Sequence, residues 1–323
     1  IYAMDTKPLV LLLDGRYSDY ELERDAVTQN GGLFELSGSL PLTEEDVLAI
    51  ESLGRATILL VELAPVTRAV LTAASSCRAV VRYGTGQDNI DAPAAEELGI
   101  LVFTVPGYAA ESVSEHAMAL ILASARRLFK QVQLVREGEW RSGDQEYRPV
   151  GLVDATIGIV GVGAIGRALA TRARAFGMRV VGYDPYVSPD QLVEVVEPVS
   201  LDQLFEQSDY VSLHLPLTDS TREIIDAKAI ARMKRGAVIV NTSRGGLINE
   251  TDLLTALDDD RLSFACLDVT ATEPLPVRHP LRTHSRVLVT PHVAFWSDRA
   301  ERNLRTSVAT IATQQFSYPQ EHA

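Results

Sequence analysis

The sequence predicts an α/β protein built on parallel sheets and divided into two domains. Three observations carry this. Short apolar runs alternate with longer amphipathic stretches from end to end, the pattern of strands joined by helical crossovers. The length, 323 residues, exceeds what a single hydrophobic core commonly serves. Near the middle of the chain a G-x-G-x-x-G turn, Gly161 to Gly166, separates a strand-like run from a helix-like one.

Taken in order, residues 7–14 (KPLVLLLD) form an uninterrupted apolar run closed by Asp14-Gly15, as expected of a strand buried on both faces. Residues 56–61, 79–83 and 101–104 read as further strands and complete a first small sheet. Residues 112–129 (SVSEHAMALILASARRLF) carry apolar side chains at helical spacing and no Gly or Pro. Arg126 and Arg127 stand in the last turns, where a cation suits the helix dipole. One long helix is expected, crossing from the first domain to the second. The second block opens with a strand in TIGIVGVG (156–163), continues in a helix AIGRALATRARAFG ended by Gly177, and returns in the strand MRVVGYD (178–184). Further strands are expected at 210–213, 237–241, 264–269 and 286–290, and from His292 onward the chain reads as helical and is expected to pack back on the first domain.

Composition narrows the function. With 46% hydrophobic and 23% charged residues the chain belongs with folded globular proteins rather than disordered or fibrous ones. A formal charge of −13 without any basic tract argues against partners such as nucleic acid or an anionic membrane surface. A small anionic substrate then needs a local cation of its own, which predicts a dedicated arginine. Cys77 and Cys266 match neither a zinc spacing nor a disulfide framework and are expected to be ordinary buried thiols in a reducing, cytoplasmic setting; no metal site is expected. No run approaches the roughly 18 apolar residues of a membrane span, and the start lacks the basic-then-apolar pattern of a leader, so a soluble protein is expected.

The glycine turn has the context that gives it chemical meaning. Gly161 allows the tight turn, Gly163 lets backbone approach a pyrophosphate, and Gly166 lets helix and strand pack closely. The free N–H groups and positive dipole end at Ala164, Ile165 and Gly166 suit the phosphates. Asp184 ends the next strand, 18 residues after Gly166, where a carboxylate accepts from the ribose hydroxyls of NAD. It would repel a 2′-phosphate, and Pro185 and Tyr186 offer no arginine to receive one, so NAD is expected rather than NADP.

Three further polar residues close strand-like runs: Arg244 after VIVNTS, Glu273 after CLDVTAT, and His292 after VLVTP. Ligands of open parallel sheets gather outside the carboxyl ends of strands, so these positions can converge. Singly, each has a plain alternative: a solvated arginine, a turn glutamate before Pro274, a helix-cap histidine after Pro291.

Together with Gly161 to Gly166 and Asp184, the segments His214-Leu-Pro216-Leu-Thr218, Asn241-Thr-Ser-Arg244-Gly-Gly, Asp268-Val-x-x-x-Glu273-Pro and Thr290-Pro-His292 resemble the D-isomer-specific 2-hydroxyacid dehydrogenase family in order and spacing. RYGTGQDNID (82–91) and VPGYAAESVSEH (105–116) resemble the family's substrate-side segments. The resemblance implies a Rossmann NAD-binding domain (108–291) inserted into a flavodoxin-like substrate domain (1–107 plus 292–323), both doubly wound parallel sheets. A cleft between them would close on the ligands about hinges near residues 106–110 and Pro291.

It also implies a reaction, hydride transfer between NAD(H) and C2 of a small 2-hydroxy or 2-oxo acid, D-specific. Charge builds on the carbonyl oxygen as hydride arrives, so a proton donor and a fixed cation are needed. His292 fills the first role, with Glu273 beside it favouring the imidazolium. Arg244 offers a planar fork for the carboxylate. By resemblance His214, Pro216, Thr218, Thr242 and Ser243 line the cofactor together with His292, and Asp268 holds the nicotinamide carboxamide. Tyr83 and the amides of Gly84, Thr85 and Gly86 are expected at the substrate, since Gly-x-Gly permits close approach.

Within the family the chain is most similar to the C-terminal-binding protein and phosphoglycerate dehydrogenase-like branch. Phe295 and Trp296, just after the catalytic histidine, are expected either as an aromatic wall for the substrate's side chain or as core packing. The competing readings are phosphoglycerate dehydrogenase, for which Arg55 and Arg82 are candidate phosphate cations; glyoxylate or hydroxypyruvate reductase; and, in another class, an NAD(H)-sensing corepressor. A homodimer formed through the cofactor domain is implied by resemblance alone.

Overall fold

The computed structural model describes residues 7–38, 42–140, 145 and 148–317. The chain divides into two compact units, one running to Ala109 and resuming at Ser297, the other Ala110–Trp296.

The first unit is a five-stranded sheet of β1 (Leu9–Leu12), β2 (Leu33–Leu36), β3 (Ile58–Val61), β4 (Ala79–Arg82) and β5 (Leu101–Phe103). All strands are parallel, in the order β2-β1-β3-β4-β5, the flavodoxin-like doubly wound arrangement. β1 and β3 are apolar throughout and fully buried because helices cover both faces. β2, absent from the sequence reading, is an edge strand, LFEL, with no fully buried position; a half-wet edge carries no long apolar run to betray it.

The last helix, Asp298–Gln314, belongs to this unit. It starts six residues after His292 rather than at it, with the Ser297 hydroxyl accepting from the Ala300 N–H at 3.1 Å. Leu304, Val308 and Ala312 face the core cluster of Val10, Leu12 and Ile58. Beside them Arg305 makes two hydrogen bonds of 2.9 Å to Glu23, whose side chain is wholly buried in helix Glu21–Gln29. The guanidinium also donates to Asp19 and lies over the rings of Tyr17 and Tyr20 at 5.1 and 5.6 Å.

The second unit is a seven-stranded parallel sheet of β6 (Thr156–Val160), β7 (Arg179–Tyr183), β8 (Glu197–Pro198), β9 (Tyr210–Leu213), β10 (Ala237–Asn241), β11 (Leu262–Leu267) and β12 (Val287–Val289). Its order, β12-β11-β10-β9-β6-β7-β8, is the dinucleotide-binding one with a strand added beyond β11. β8, two residues long, left no sequence signal. The helix after β6 ends with Gly177 at φ +75°, its N–H on Arg174 O and the Met178 N–H on Ala173 O, a Schellman stop.

Two expectations are corrected. The single helix over 112–129 is two, Ala110–Ala125 and Leu128–Arg136, because Arg127 takes a left-handed conformation (φ 51°) that sends its guanidinium over the Phe264 ring at 5.5 Å. Both lie in the second unit, so this segment is not a crossing between domains. His292, Phe295 and Trp296 also fall in the second unit rather than the first, for a reason that lies in the site described below.

Cys77 and Cys266 are free, and burial pushes both thiols up to about 12, where they are inert. Among the described residues no helix is long and apolar enough to cross a membrane.

Because Glu23 has no exposed surface, Arg305→Met should leave a buried carboxylate without its counterion and destabilise the first unit by about 3 kcal/mol. Urea unfolding should show this, and Glu23→Leu combined with Arg305→Met should recover most of the loss.

Candidate active site

Six strands of the second unit end on a polar or glycine residue. Gly161 follows β6, Asp184 follows β7, His214 follows β9, Thr242 follows β10, Asp268 follows β11 and Thr290 follows β12. The strands are parallel, so all six positions lie on one edge of one sheet.

At the glycine turn, Gly161 has φ +97°, and a Cβ there would press on the backbone of His214 and Leu215. A Cβ on Gly166 would strike the Gly161 carbonyl. At Gly163 nothing stands within 4 Å of where a Cβ would be. Gly163 is the N-cap of helix Ala164–Ala175 and no side chain caps it, so the helix start presents its N–H groups beside open space. That is the shape a pyrophosphate needs.

Asp184 is built into this turn. Its carboxylate accepts from the Val162 N–H and from the Tyr186 N–H, both at 2.8 Å. It therefore fixes the glycine loop as well as presenting negative charge at the end of β7.

His214 holds its ring by a 2.8 Å bond between Nε2 and the Ser212 hydroxyl, and burial pushes the imidazole down to about 4, so it is neutral. Its Nδ1 and the Thr242 hydroxyl are buried polar atoms without a partner in the protein. Two such atoms at adjacent strand ends beside a glycine turn fit a site that a polar cofactor completes. Pro216 and Thr218 stand exposed on the turn beyond, which Thr221, a residue not singled out from the sequence, organises: its hydroxyl donates to Pro216 O at 2.6 Å and receives the Thr218 N–H at 2.8 Å.

Asn241, wholly buried at the end of β10, shapes the arginine loop. Its amide donates to Arg244 O at 2.9 Å and its carbonyl oxygen accepts from the Ser243 N–H at 3.0 Å. The Ser243 hydroxyl donates to Leu215 O at 2.5 Å, tying this loop to the His214 turn. Gly245 follows because a side chain there would collide with the Thr270 backbone. The Arg244 guanidinium is thereby held near Glu273, whose ionised form it favours.

His292 Nδ1 lies 2.6 Å from Glu273 Oε2, and Glu273 Oε1 accepts from the Thr270 N–H at 3.0 Å. Burial opposes ionisation of Glu273, yet the hydrogen bond and charge of His292, the Thr270 amide and Arg244 together hold its carboxyl below the usual carboxylate range. Arg244, Glu273 and His292 thus form one constellation.

Asp268, whose carboxylate is expected at the nicotinamide carboxamide, is bonded chiefly within this chain. Its side chain is 1% exposed and is claimed by this chain: Oδ1 by the Thr290 hydroxyl at 2.5 Å and the Val293 N–H at 3.0 Å, Oδ2 by the Ala294 N–H at 2.8 Å. Its backbone carbonyl takes the His292 N–H at 2.8 Å. Three consecutive amides of the histidine loop therefore end on one residue, which is why residues 292–296 go with the second unit. Phe295 meets the His292 ring edge-on at 6.2 Å and Trp296 is exposed, so neither is core packing.

In the first unit the Gly84 loop leaves the carboxyl end of β4. Gly84 has φ +134°, its carbonyl accepts from the Val105 N–H at 2.8 Å, and the Thr85 hydroxyl donates to Val105 O at 3.2 Å, which leaves Thr85 exposed and Gly86 partly so. Tyr83 is a correction: it is 3% exposed, with its hydroxyl donating to Glu23 at 3.1 Å, a core residue rather than a substrate contact. Arg82 closes β4 beside the Gly84 loop and near the charge of Glu62, whereas Arg55 precedes β3 at the opposite edge of the sheet.

A glycine turn opening a helix, an acid closing the second strand and a histidine–carboxylate pair on the same edge define a dinucleotide-dependent oxidoreductase. The profile described as D-isomer specific 2-hydroxyacid dehydrogenase, NAD binding domain, matches residues 118–294, more than half of the chain, and the chain belongs to that family. It is 38% identical to the D-3-phosphoglycerate dehydrogenase of Methanocaldococcus jannaschii over 293 residues, 89% of this chain and 55% of that one. To the hydroxypyruvate reductase of Thermotoga maritima it is 39% identical over 265 residues, 81% of this chain and 82% of that one. The solved structure of D-lactate dehydrogenase from Aquifex aeolicus, complexed with NAD and lactic acid, matches with a TM-score of 0.82 at 27% identity over 95% of each chain. The chain thus spans about half the length of the phosphoglycerate dehydrogenase and most of the other two.

Asp184→Ala should narrow the preference for NADH over NADPH by about tenfold, the worth of removing one close like-charge contact. It should also weaken NADH, because the Val162 amide loses its acceptor. Fluorescence titration with both nucleotides measures the two effects.

Proposed function

We propose that the protein is an NAD-dependent D-2-hydroxyacid dehydrogenase acting on small 2-oxo and 2-hydroxy acids. The observation that carries this reading is the 2.6 Å pair of His292 Nδ1 and Glu273 Oε2, set beside Arg244 on the edge that bears the glycine turn.

NAD(H), when bound, supplies or takes up the hydride at C2. The amides of Ala164, Ile165 and Gly166 would hold its pyrophosphate, Asp184 its ribose, and His214, Pro216, Thr218, Thr242 and Ser243 would line the rest of the cofactor. Arg244 pairs with the substrate carboxylate, which fixes C2 and meets the need for a local cation in a chain of net charge −13. In reduction, His292 Nε2–H gives its proton to the carbonyl oxygen as the hydride arrives at C2. In oxidation the same nitrogen takes the hydroxyl proton back. Glu273 accepts from Nδ1, so the ring turns Nε2 to the substrate.

The group beyond C2 is uncharged in this reading. Phe295 stands against the catalytic ring, and Arg55 and Arg82 are placed as described above. Glyoxylate, hydroxypyruvate and apolar 2-oxo acids are favoured over phosphohydroxypyruvate. An NAD(H)-sensing role without turnover is the lesser reading because the three catalytic side chains are all present, with His292 bonded to Glu273 and Arg244 near enough to favour its charge.

We also propose a homodimer through the NAD-binding unit. Leu128, Phe129, Val132 and Val135 stand exposed on one face of helix Leu128–Arg136, with Trp140 exposed beyond it, a patch that a second copy would bury. A cytoplasmic location accords with two free thiols, Cys266 buried and Cys77 partly so.

His292→Ala should abolish NADH oxidation with every 2-oxo acid, by at least about a thousandfold in kcat, while the dissociation constant for NADH changes less than threefold. Stopped-flow turnover and fluorescence titration measure the two. If the unaltered protein oxidises NADH with none of glyoxylate, hydroxypyruvate, pyruvate, phenylpyruvate and phosphohydroxypyruvate, the dehydrogenase reading fails. Phe129→Glu should yield a monomer by light scattering, and a dimer in that variant would refute the interface.

A further inference from the structure

His292 carries φ +53°, a left-handed conformation that costs a non-glycine residue on the order of 1 kcal/mol. It keeps that conformation because the N–H groups of His292, Val293 and Ala294 all end on Asp268. The aim of the ring therefore depends on where the Asp268 carboxylate points.

Two further residues set that direction. Thr290 Oγ1 lies 2.5 Å from Asp268 Oδ1 and 3.0 Å from His116 Nε2. An ionised carboxylate only accepts, so the Thr290 hydroxyl hydrogen goes to Asp268, and the remaining contact requires His116 to donate from Nε2. His116 Nε2 is 3.6 Å from Asp268 Oδ1, beyond a good hydrogen bond, so it acts through the threonine. The donors run from helix Ala110–Ala125 through the end of β12 to Asp268 at the end of β11, where the amides of the histidine loop also end.

We propose that Thr290 and His116 are positioning residues for the proton donor: neither touches the reacting atoms, and together they lock the Asp268 carboxylate that aims His292 at substrate and at Glu273. This rests on the dehydrogenase reading for its kinetic consequence but not for its geometry. A misaimed donor slows proton transfer without changing how the cofactor binds.

The test compares Thr290→Val, which keeps the shape and loses the hydroxyl, with Thr290→Ser, which keeps the hydroxyl, and His116→Leu with His116→Gln, which keeps a donor. Thr290→Val should lower kcat by about thirtyfold and His116→Leu by about tenfold, with KM and the NADH dissociation constant within about threefold. The solvent deuterium isotope effect on kcat should rise in both, because proton transfer becomes rate-limiting. Thr290→Ser and His116→Gln should recover most of the loss. In proton NMR, the low-field Nδ1–H signal of His292 on Glu273, identified by its absence in His292→Gln, should move upfield or broaden in Thr290→Val. A kcat within twofold of the unaltered protein, or equal losses in Thr290→Ser and Thr290→Val, would overturn the assignment. If no 2-oxo acid is turned over at all, the NMR signal decides alone: an unmoved resonance in Thr290→Val refutes the positioning role.

Discussion

A single buried carboxylate, Asp268, holds the reactive end of the second unit together. It receives a hydroxyl from the strand on one side and two amides from the loop ahead of it, while its own carbonyl holds a third amide. A carboxylate with 1% exposure survives only when its lone pairs are met, so the loop cannot leave without stranding the charge. The strained histidine backbone and the buried acid hold each other in place: the loop satisfies the charge, and the charge holds the loop in a conformation that it would otherwise abandon. Everything that the histidine does, from its pairing with Glu273 to its contact with Phe295, inherits its position from that exchange.

The same economy recurs along the carboxyl edge of the sheet. Asp184 fixes the glycine turn through two amides, Asn241 shapes the arginine loop through one donor and one acceptor, and Ser243 ties that loop to the next turn. Each uses a short side chain at a strand end to direct backbone, and the long side chains Arg244, Glu273 and His292 stand on the loops so directed. Parallel strands make this possible, since every crossover returns the chain to the same edge and strand ends accumulate there.

The sequence was most legible where chemistry and periodicity coincide. The fully buried strands β1, β3, β9 and β10 stand out as apolar runs, and the glycine turn is read from spacing because each glycine answers a separate close approach. The edge strands β2 and β8 escape for the opposite reason: one is half wet and the other two residues long. The break at Arg127 is invisible because nothing local forbids a helix there, and what Arg127 meets, the Phe264 ring, lies 137 positions further along. In the site, the groups that react are legible by type, whereas those that aim them are not. Threonine, asparagine and histidine at strand ends look like any polar residue until their partners are seen, and Tyr83, next to a binding loop, alternates into the core instead.

The bond between Arg305 and Glu23 joins residues 282 positions apart, and the whole of the second unit lies between them in the chain. Synthesis is vectorial, and domains generally form as their segments emerge. The strands of the first sheet are therefore made early, but the helix that supplies Leu304, Val308 and Ala312 to one of its faces arrives last. For as long as it takes to make residues 110–296, that face lacks these three side chains and the Glu23 carboxylate lacks its Arg305 counterion. The closing of the C-terminal helix, not the pairing of strands, thus completes the core of the first unit.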